Sequence, residues 1–187
     1  MDGARLPRLA PADLEPAQAE LYQTIVGGPR QQQARFFPVA DGDGVLSGPY
    51  RAMLLSPAVG AALERTGVAV RYHCALPAVV RELAILTVAV HTDCATEWRA
   101  HENLARDSGV PEETIASLKT GKPVLPDETA EVTHAFTSDL LTGNRVPEPV
   151  FARATELWSR SGVFELVATI GYYQTIAHIN NAFEVGA

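Results

Sequence analysis

Residues 77–90 constrain the fold more than any other part of this chain. Pro77 can open a helix, and Val79, Val80, Leu83, Ala84, Ile85, Leu86, Val88, Ala89 and Val90 then cover most of its circumference. A surface helix keeps a polar face, whereas one that is apolar all round has to lie centrally, packed on several sides. Arg81 and Glu82 are the only charges within it. A carboxylate on so apolar a helix needs a partner or a proton. One reading is a structural Arg–Glu pair, within a subunit or across an interface. The other is a desolvated carboxylate suited to proton transfer.

The rest of the chain reads as short helices with regular punctuation. Leu14, Ala17, Leu21 and Ile25 recur at helical spacing, with Pro16 near the start and Gly27-Gly28 at the end. Ser56-Pro57 is an N-cap followed by proline, with Val59, Leu63 and Val70 on one side. A helix carrying Cys94 runs to Ser108 and stops at Gly109, and Pro111 starts a short one ending at Gly121. Asp127 caps a helix with Val132, Phe136 and Leu140 that stops at Gly143. Pro147 and Pro149 open another, which stops at Gly162. The last helix, Phe164 to Phe183, is apolar on nearly every side and is interrupted by Gly171-Tyr172-Tyr173 and Asn180-Asn181. No period-two pattern persists, and no repeat or composition shift marks a second domain. The expectation is one all-α domain over residues 1–187 with about seven to nine helices. Residues 28–48, rich in Gly, Pro and Gln with Arg35-Phe36-Phe37 in the middle, form the one long irregular stretch. That stretch is a surface wrap, or else a lid or subunit-contact arm.

Composition excludes several functions. With 47% apolar and 20% charged residues the 187-residue chain is globular. A net charge of −7, with basic residues scattered, argues against nucleic acid or an anionic membrane as partner. No apolar run of about 18 residues is present to span a membrane. Met1-Asp2-Gly3-Ala4-Arg5 leads into no apolar signal region, so a cytoplasmic protein is expected. There is no Gly-rich phosphate loop, so no nucleotide cofactor is implied and no cofactor is expected, and the absence of Gly-x-Ser-x-Gly removes the usual hydrolase nucleophile elbow. Gly42-Asp43-Gly44 is a turn signal.

The chemistry concentrates in Cys94-Ala95-Thr96-Glu97-Trp98-Arg99-Ala100-His101. Cys94, Glu97 and His101 are spaced i, i+3 and i+7, which places a thiol, a carboxylate and an imidazole on one stripe of a helix. Glu82 joins them only if the chain turns back, since a straight helix would hold it about 18 Å from Cys94. His91-Thr92-Asp93 supplies the break. Thr92 or Asp93 can cap a new helix, with Cys94 in its first turn, where free backbone N–H groups favour a thiolate. Trp98 is a pocket wall for a flat substrate or a core anchor. His91 is a further substrate contact, and a metal site built from it with Cys94, Glu97 and His101 lacks any regular zinc spacing. Cys74 is a small core residue or a remote resolving thiol. His178, Tyr172 and Tyr173 are core residues or approach the same pocket.

From Arg81-Glu82-Leu83-Ala84-Ile85-Leu86 through Cys94, Glu97-Trp98 and His101 to Ala105-Gly109, the sequence resembles the carboxymuconolactone decarboxylase family, which includes the alkyl hydroperoxidase D-like proteins. The resemblance covers residues 77–121 and implies an all-helical homo-oligomer: a trimer, a hexamer built from trimers, or a dimer. The family's peroxidases carry a Cys-x-x-Cys pair, a nearby His and an upstream Glu. Cys94 matches the first Cys, His101 the His and Glu82 the relay Glu, but Glu97 stands where the second Cys belongs. Two functions follow from the resemblance. One is cofactor-free acid–base chemistry on a small lactone or carbonyl acid, with Glu82, Glu97 and His101 moving protons. The other is thiol peroxidase chemistry at Cys94, resolved by an external thiol or Cys74. A non-catalytic oligomeric homologue is the third reading.

Overall fold

The computed structural model describes residues 5–33 and 37–186. Among these residues there are eight α-helices and no strand, only an isolated antiparallel bridge between Ala40 and Leu46. The helices are α1 (Pro16–Val26), α2 (Pro49–Met53), α3 (Pro57–Val68), α4 (Ala78–His91), α5 (Ala95–Ser108), α6 (Glu112–Leu118), α7 (Glu128–Gly143) and α8 (Glu148–Ala182). The all-α expectation holds. No helix is long and apolar enough to cross a membrane. The chain forms two compact units: residues 1–73 with 178–187, and residues 74–177.

In the first unit, α1 starts at Pro16 behind a capping box of Glu15 and Gln18 and ends at Gly27, as its punctuation indicated. The buried face of α3 is a correction. It is Gly60, Glu64 and Gly67, while Val59 is 59% exposed and Leu63 only half-buried. The reason is backbone approach: a Cβ on Gly60 would lie 2.4 Å from the Met53 carbonyl oxygen and 2.8 Å from Leu21 Cδ2. α3 is therefore turned so that its small residues meet α1 and α2. Four residues on, Glu64 accepts from Arg30 Nε with both carboxylate oxygens at 2.9 Å. The Arg30 guanidinium lies 5.1 Å from the Tyr50 ring centroid. Both charges are buried, so each needs the other. Within the long irregular stretch, residues 29–33 form a 3₁₀ turn, and Asp41 accepts from the backbone N–H groups of Asp43 and Val45. That is the turn expected at Gly42-Asp43-Gly44. Arg35 and Phe36 lie outside the described residues.

In the second unit, α4 is the centre. Val80 and every residue from Glu82 to Ala89 are buried, as its all-round apolar pattern requires. Leu83, Leu86 and Ala89 share a core with Trp98, Ala105, Val110, Ile115, Leu118 and Ala130. α5 ends at Gly109, whose φ of 99° lets the Val110 N–H return to the Ala105 carbonyl at 3.0 Å. α6 stops at Leu118, earlier than the Gly121 expected. Asp127 caps α7 by accepting from the Ala130 N–H. The two expected C-terminal helices are one run with a kink at Ser159, not a stop at Gly162, and the helix continues through Gly171-Tyr172-Tyr173. Ser159 has φ 60° and ψ 172°, a region that suits only glycine. A side chain at Gly162 would meet Trp158 Cβ at 2.6 Å, which accounts for the small residue just past the kink.

Two stability changes are expected. Glu64→Gln removes the buried carboxylate that accepts from Arg30 Nε and should cost about 3–5 kcal/mol, read as a lower midpoint in urea unfolding. The double variant Glu64→Leu/Arg30→Met should cost less than the two single changes summed. Ser159→Gly relieves the backbone and should raise stability by about 1 kcal/mol, since such conformations cost about 1–3 kcal/mol in other residues. An unchanged or lower midpoint for that variant would show that the kink carries no strain.

Candidate functional site

The break between α4 and α5 decides the site. Thr92 closes α4, its N–H and hydroxyl both bonding to the Val88 carbonyl at 2.9 and 2.8 Å. Asp93 takes a left-handed conformation at φ 48°, which short polar residues tolerate. The Cys94 N–H then returns to the Ala89 carbonyl at 2.9 Å. Cys94 itself is the N-cap of α5, so neither Thr92 nor Asp93 caps the new helix and Cys94 lies one step before its first turn. α5 runs back along α4 as an antiparallel hairpin. Glu82 lies ten residues before Thr92 and His101 nine after it. Each is therefore about 14–15 Å from the turn along its own helix, and the two face each other.

His101 Nδ1 is 2.7 Å from Glu82 Oε2, with both side chains buried. Nδ1–H donates when Glu82 is ionised, since an ionised carboxylate only accepts. Nε2 lies 3.8 Å from Glu97 Oε2, one turn earlier on α5, a distance too long for a direct hydrogen bond. Glu82 Oε1 is 4.0 Å from Arg81 Nε, so the Arg81–Glu82 neighbourhood expected of the structural reading coexists with the histidine contact. The Tyr173 ring of α8 meets His101 edge-on, with centroids 4.9 Å apart. Of the two tyrosines weighed from sequence, it is Tyr173 that reaches the imidazole. Cys94 is buried at the head of the same stripe.

Other candidates fall elsewhere. Trp98 is a core anchor in the cluster around Leu83 and Leu118, with the Lys119 ammonium 3.9 Å from its ring centroid. His91 is exposed at the end of α4, nine residues and about 13 Å from Glu82 along the helix. His178, expected as a core residue, is exposed. Among the described residues no group of three or more His, Cys, Asp or Glu side chains could hold a metal ion. Cys74 and Cys94 are both free thiols, and the 14 residues of α4 stand between them, about 21 Å of helix. That separation is far beyond disulfide reach within one chain. Cys74 Sγ instead accepts from Arg81 Nη1 at 3.5 Å.

Two cavities are lined by residues of the second unit. One, of about 170 Å³, lies between α4, α6 and the start of α7, with Val79, Leu83, Pro111 and Asp127 in its walls. The other, of about 230 Å³, is walled by Val90, His91, Leu118, Pro123, His134 and Ser138. Neither is lined by Glu82, Cys94, Glu97 or His101. His134 showed no usable pattern in the sequence, because a lone histidine on a helix face carries no spacing signal.

Residues 57–122 match the model of the carboxymuconolactone decarboxylase family. This segment belongs to that family. The match contains α3 to α6 and with them Glu82, Cys94, Glu97 and His101. No curated protein matches the chain. Among solved structures, a protein of Ralstonia eutropha JMP134, described as an alkylhydroperoxidase AhpD core and an uncharacterized peroxidase-related protein, is similar with a TM-score of 0.74 and 14% identity. The likeness covers 97% of this chain and 90% of that one. A protein of unknown function from Agrobacterium tumefaciens, whose description suggests an AhpD antioxidant defence protein, has a TM-score of 0.61 and 17% identity over 71% of this chain and 92% of its own. At these identities the likeness is one of fold, and the fold is AhpD-like.

Burial holds the His134 imidazole below its ordinary value of 6.5. The unfolded chain then binds this proton more readily than the folded one. Stability tied to the neutral ring is fully present above pH 6.5 and is lost as pH falls toward the folded value. His134→Gln should therefore flatten the decline in melting temperature between neutral and mildly acidic pH. An unaltered slope would assign that decline to other groups.

Proposed function

We propose that this chain is a cofactor-free acid–base enzyme that performs a decarboxylation, or a related lyase or isomerase step, on a small lactone or carbonyl acid. The observation that carries the reading is the 2.7 Å contact between Glu82 and His101 Nδ1. It holds Nδ1 against Glu82 and turns Nε2 toward Glu97, and Nε2 is the nitrogen we assign to proton transfer. Glu97 beside Nε2 supplies a second proton acceptor. In a decarboxylation, the bond between the carboxylate and the α-carbon breaks and its electron pair moves onto the neighbouring carbonyl as an enolate. CO₂ leaves, and Nε2–H of the protonated His101 delivers a proton to carbon. Glu82 stabilises the imidazolium before that transfer.

The named alternative is thiol peroxidase chemistry at Cys94. It is disfavoured by Glu97 in place of a second thiol and by the length of α4 between Cys94 and Cys74, which leaves only an external thiol to reduce the sulfenic acid. The same reading takes the protein as a cytoplasmic homo-oligomer, a trimer, hexamer or dimer, with a small molecule as its substrate.

Screening small lactones and β-keto acids would supply the assay. His101→Ala and Glu82→Gln should each lower the rate about 10²- to 10⁴-fold, with Cys94→Ser milder. Turnover of hydroperoxides with lipoamide- or thioredoxin-type reductants should be weak or absent. Abolition by Cys94→Ser with His101→Ala nearly intact would replace the acid–base reading by thiol chemistry. If none of the three changes an activity, the cluster is a structural polar core.

A further inference from the structure

We propose that the cavity between α4 and α7 is a separate small-molecule site, which takes an uncharged, single-ring molecule and receives its hydroxyl group at His134. The cavity, of about 230 Å³, forms where one stripe of each helix contributes to the same space. On α4, Thr87, Val90 and His91 are spaced i, i+3 and i+4. On α7, His134, Ser138 and Leu141 are spaced i, i+4 and i+7. Each set shares one helical face. His91 follows Glu82 by nine residues, about two and a half turns, and so lies on the opposite side of α4 from the contact with His101.

The walls define the occupant. Val90, Leu118, Pro123 and Leu141 are apolar, and no Asp, Glu, Lys or Arg lines the cavity. An ion would lose its hydration there and meet no fixed opposite charge. The polar groups are few, as is usual in ligand pockets. The hydroxyls of Thr87 and Thr142 donate to the Leu83 and Ser138 carbonyls, both at 2.8 Å, so their protons are used. His134 Nε2 lies 3.4 Å from Ser138 Oγ, which is long for a hydrogen bond. Among the described residues His134 Nδ1 makes no hydrogen bond. Burial holds this half-buried imidazole below its ordinary value of 6.5, so at neutral pH it is an uncharged ring with one donor and one acceptor nitrogen. A hydroxyl group, which also donates and accepts, is its complement. An apolar cavity of about 150 Å³ takes benzene, so this larger one has room for a ring with substituents. A rigid ring also loses less freedom on binding than a chain of the same size.

The site is independent of the acid–base reading above, and its test needs no turnover. The probe is 4-methylphenol, titrated into the full chain labelled with ¹⁵N-histidine, with toluene as the same ring lacking the hydroxyl. His134→Leu and His101→Ala identify the His134 and His101 resonances. 4-Methylphenol should shift those of His134 saturably, at roughly millimolar concentration or below, as fits a ligand of so few atoms. The His101 resonances should stay in place. Toluene should bind about 2- to 10-fold more weakly, the worth of one ordinary hydrogen bond. In His134→Leu, which keeps an apolar side chain at the wall, ligand-observed NMR should find the two probes equal. If that variant does not fold, the comparison of the two probes on the unaltered chain decides by itself. Equal affinity of both probes for the unaltered chain overturns the proposal. So does the absence of a saturable shift at His134, or a shift confined to His101. Zinc ion that shifts His91 and His134 together, where 4-methylphenol shifts neither, overturns it in favour of a metal site.

Discussion

The hydrogen bond between Glu82 and His101 is the contact on which the second unit turns. It joins two helices across a hairpin, pairs a buried carboxylate with a buried imidazole, and leaves the second ring nitrogen toward Glu97. Its existence depends on a backbone event ten residues away. Had α4 continued straight past His91, Glu82 and His101 would stand about 28 Å apart along one helix. Thr92, the left-handed Asp93 and the return of the Cys94 N–H to Ala89 reverse the chain within three residues. The apolar circumference of α4 then makes the pairing obligatory, because a carboxylate among Leu83, Leu86 and Val80 has to find a partner.

The first unit rests on a different buried charge. Glu64 and Arg30 form a bidentate pair under the Tyr50 ring, on a face of α3 made of Gly60 and Gly67. Both units thus bury a carboxylate against a cation or imidazole, but the surroundings differ. Glu64 meets a permanently charged guanidinium, which suits a static cross-link. Glu82 meets a histidine ring, whose two nitrogens can each donate or accept a hydrogen bond.

Glu97 gives the stripe its character, because three residues after Cys94 the chain holds a carboxylate 3.8 Å from His101 Nε2. The imidazole nitrogens thus have the carboxylates of Glu82 and Glu97 beside them. Cys94 stays at the head of α5 as a buried thiol, with Cys74 at the far end of α4.

Much was legible in the sequence because it was local. Pro16, Ser56-Pro57, Pro77, Pro111 and Asp127 set helix starts, and Gly27 and Gly109 set ends, through the dihedrals and hydrogen bonds that each residue allows. The i, i+3, i+7 spacing placed Cys94, Glu97 and His101 on one stripe, and the all-round apolar pattern of residues 79–90 made that helix central. What only the tertiary structure decided was non-local. Periodicity put Val59 and Leu63 inward, but a close backbone approach at Gly60 turned α3 to bury Glu64 instead. The Arg30–Glu64 pair spans 34 residues and leaves no spacing signature. Trp98 could be a pocket wall or a core anchor until its neighbours were known, and they are Leu83, Leu118 and Lys119. Tyr173 lies 72 residues beyond His101, and only the path of α8 brings the two rings together. Spacing rules reach a turn or two along one helix, whereas these contacts depend on how separate helices pack.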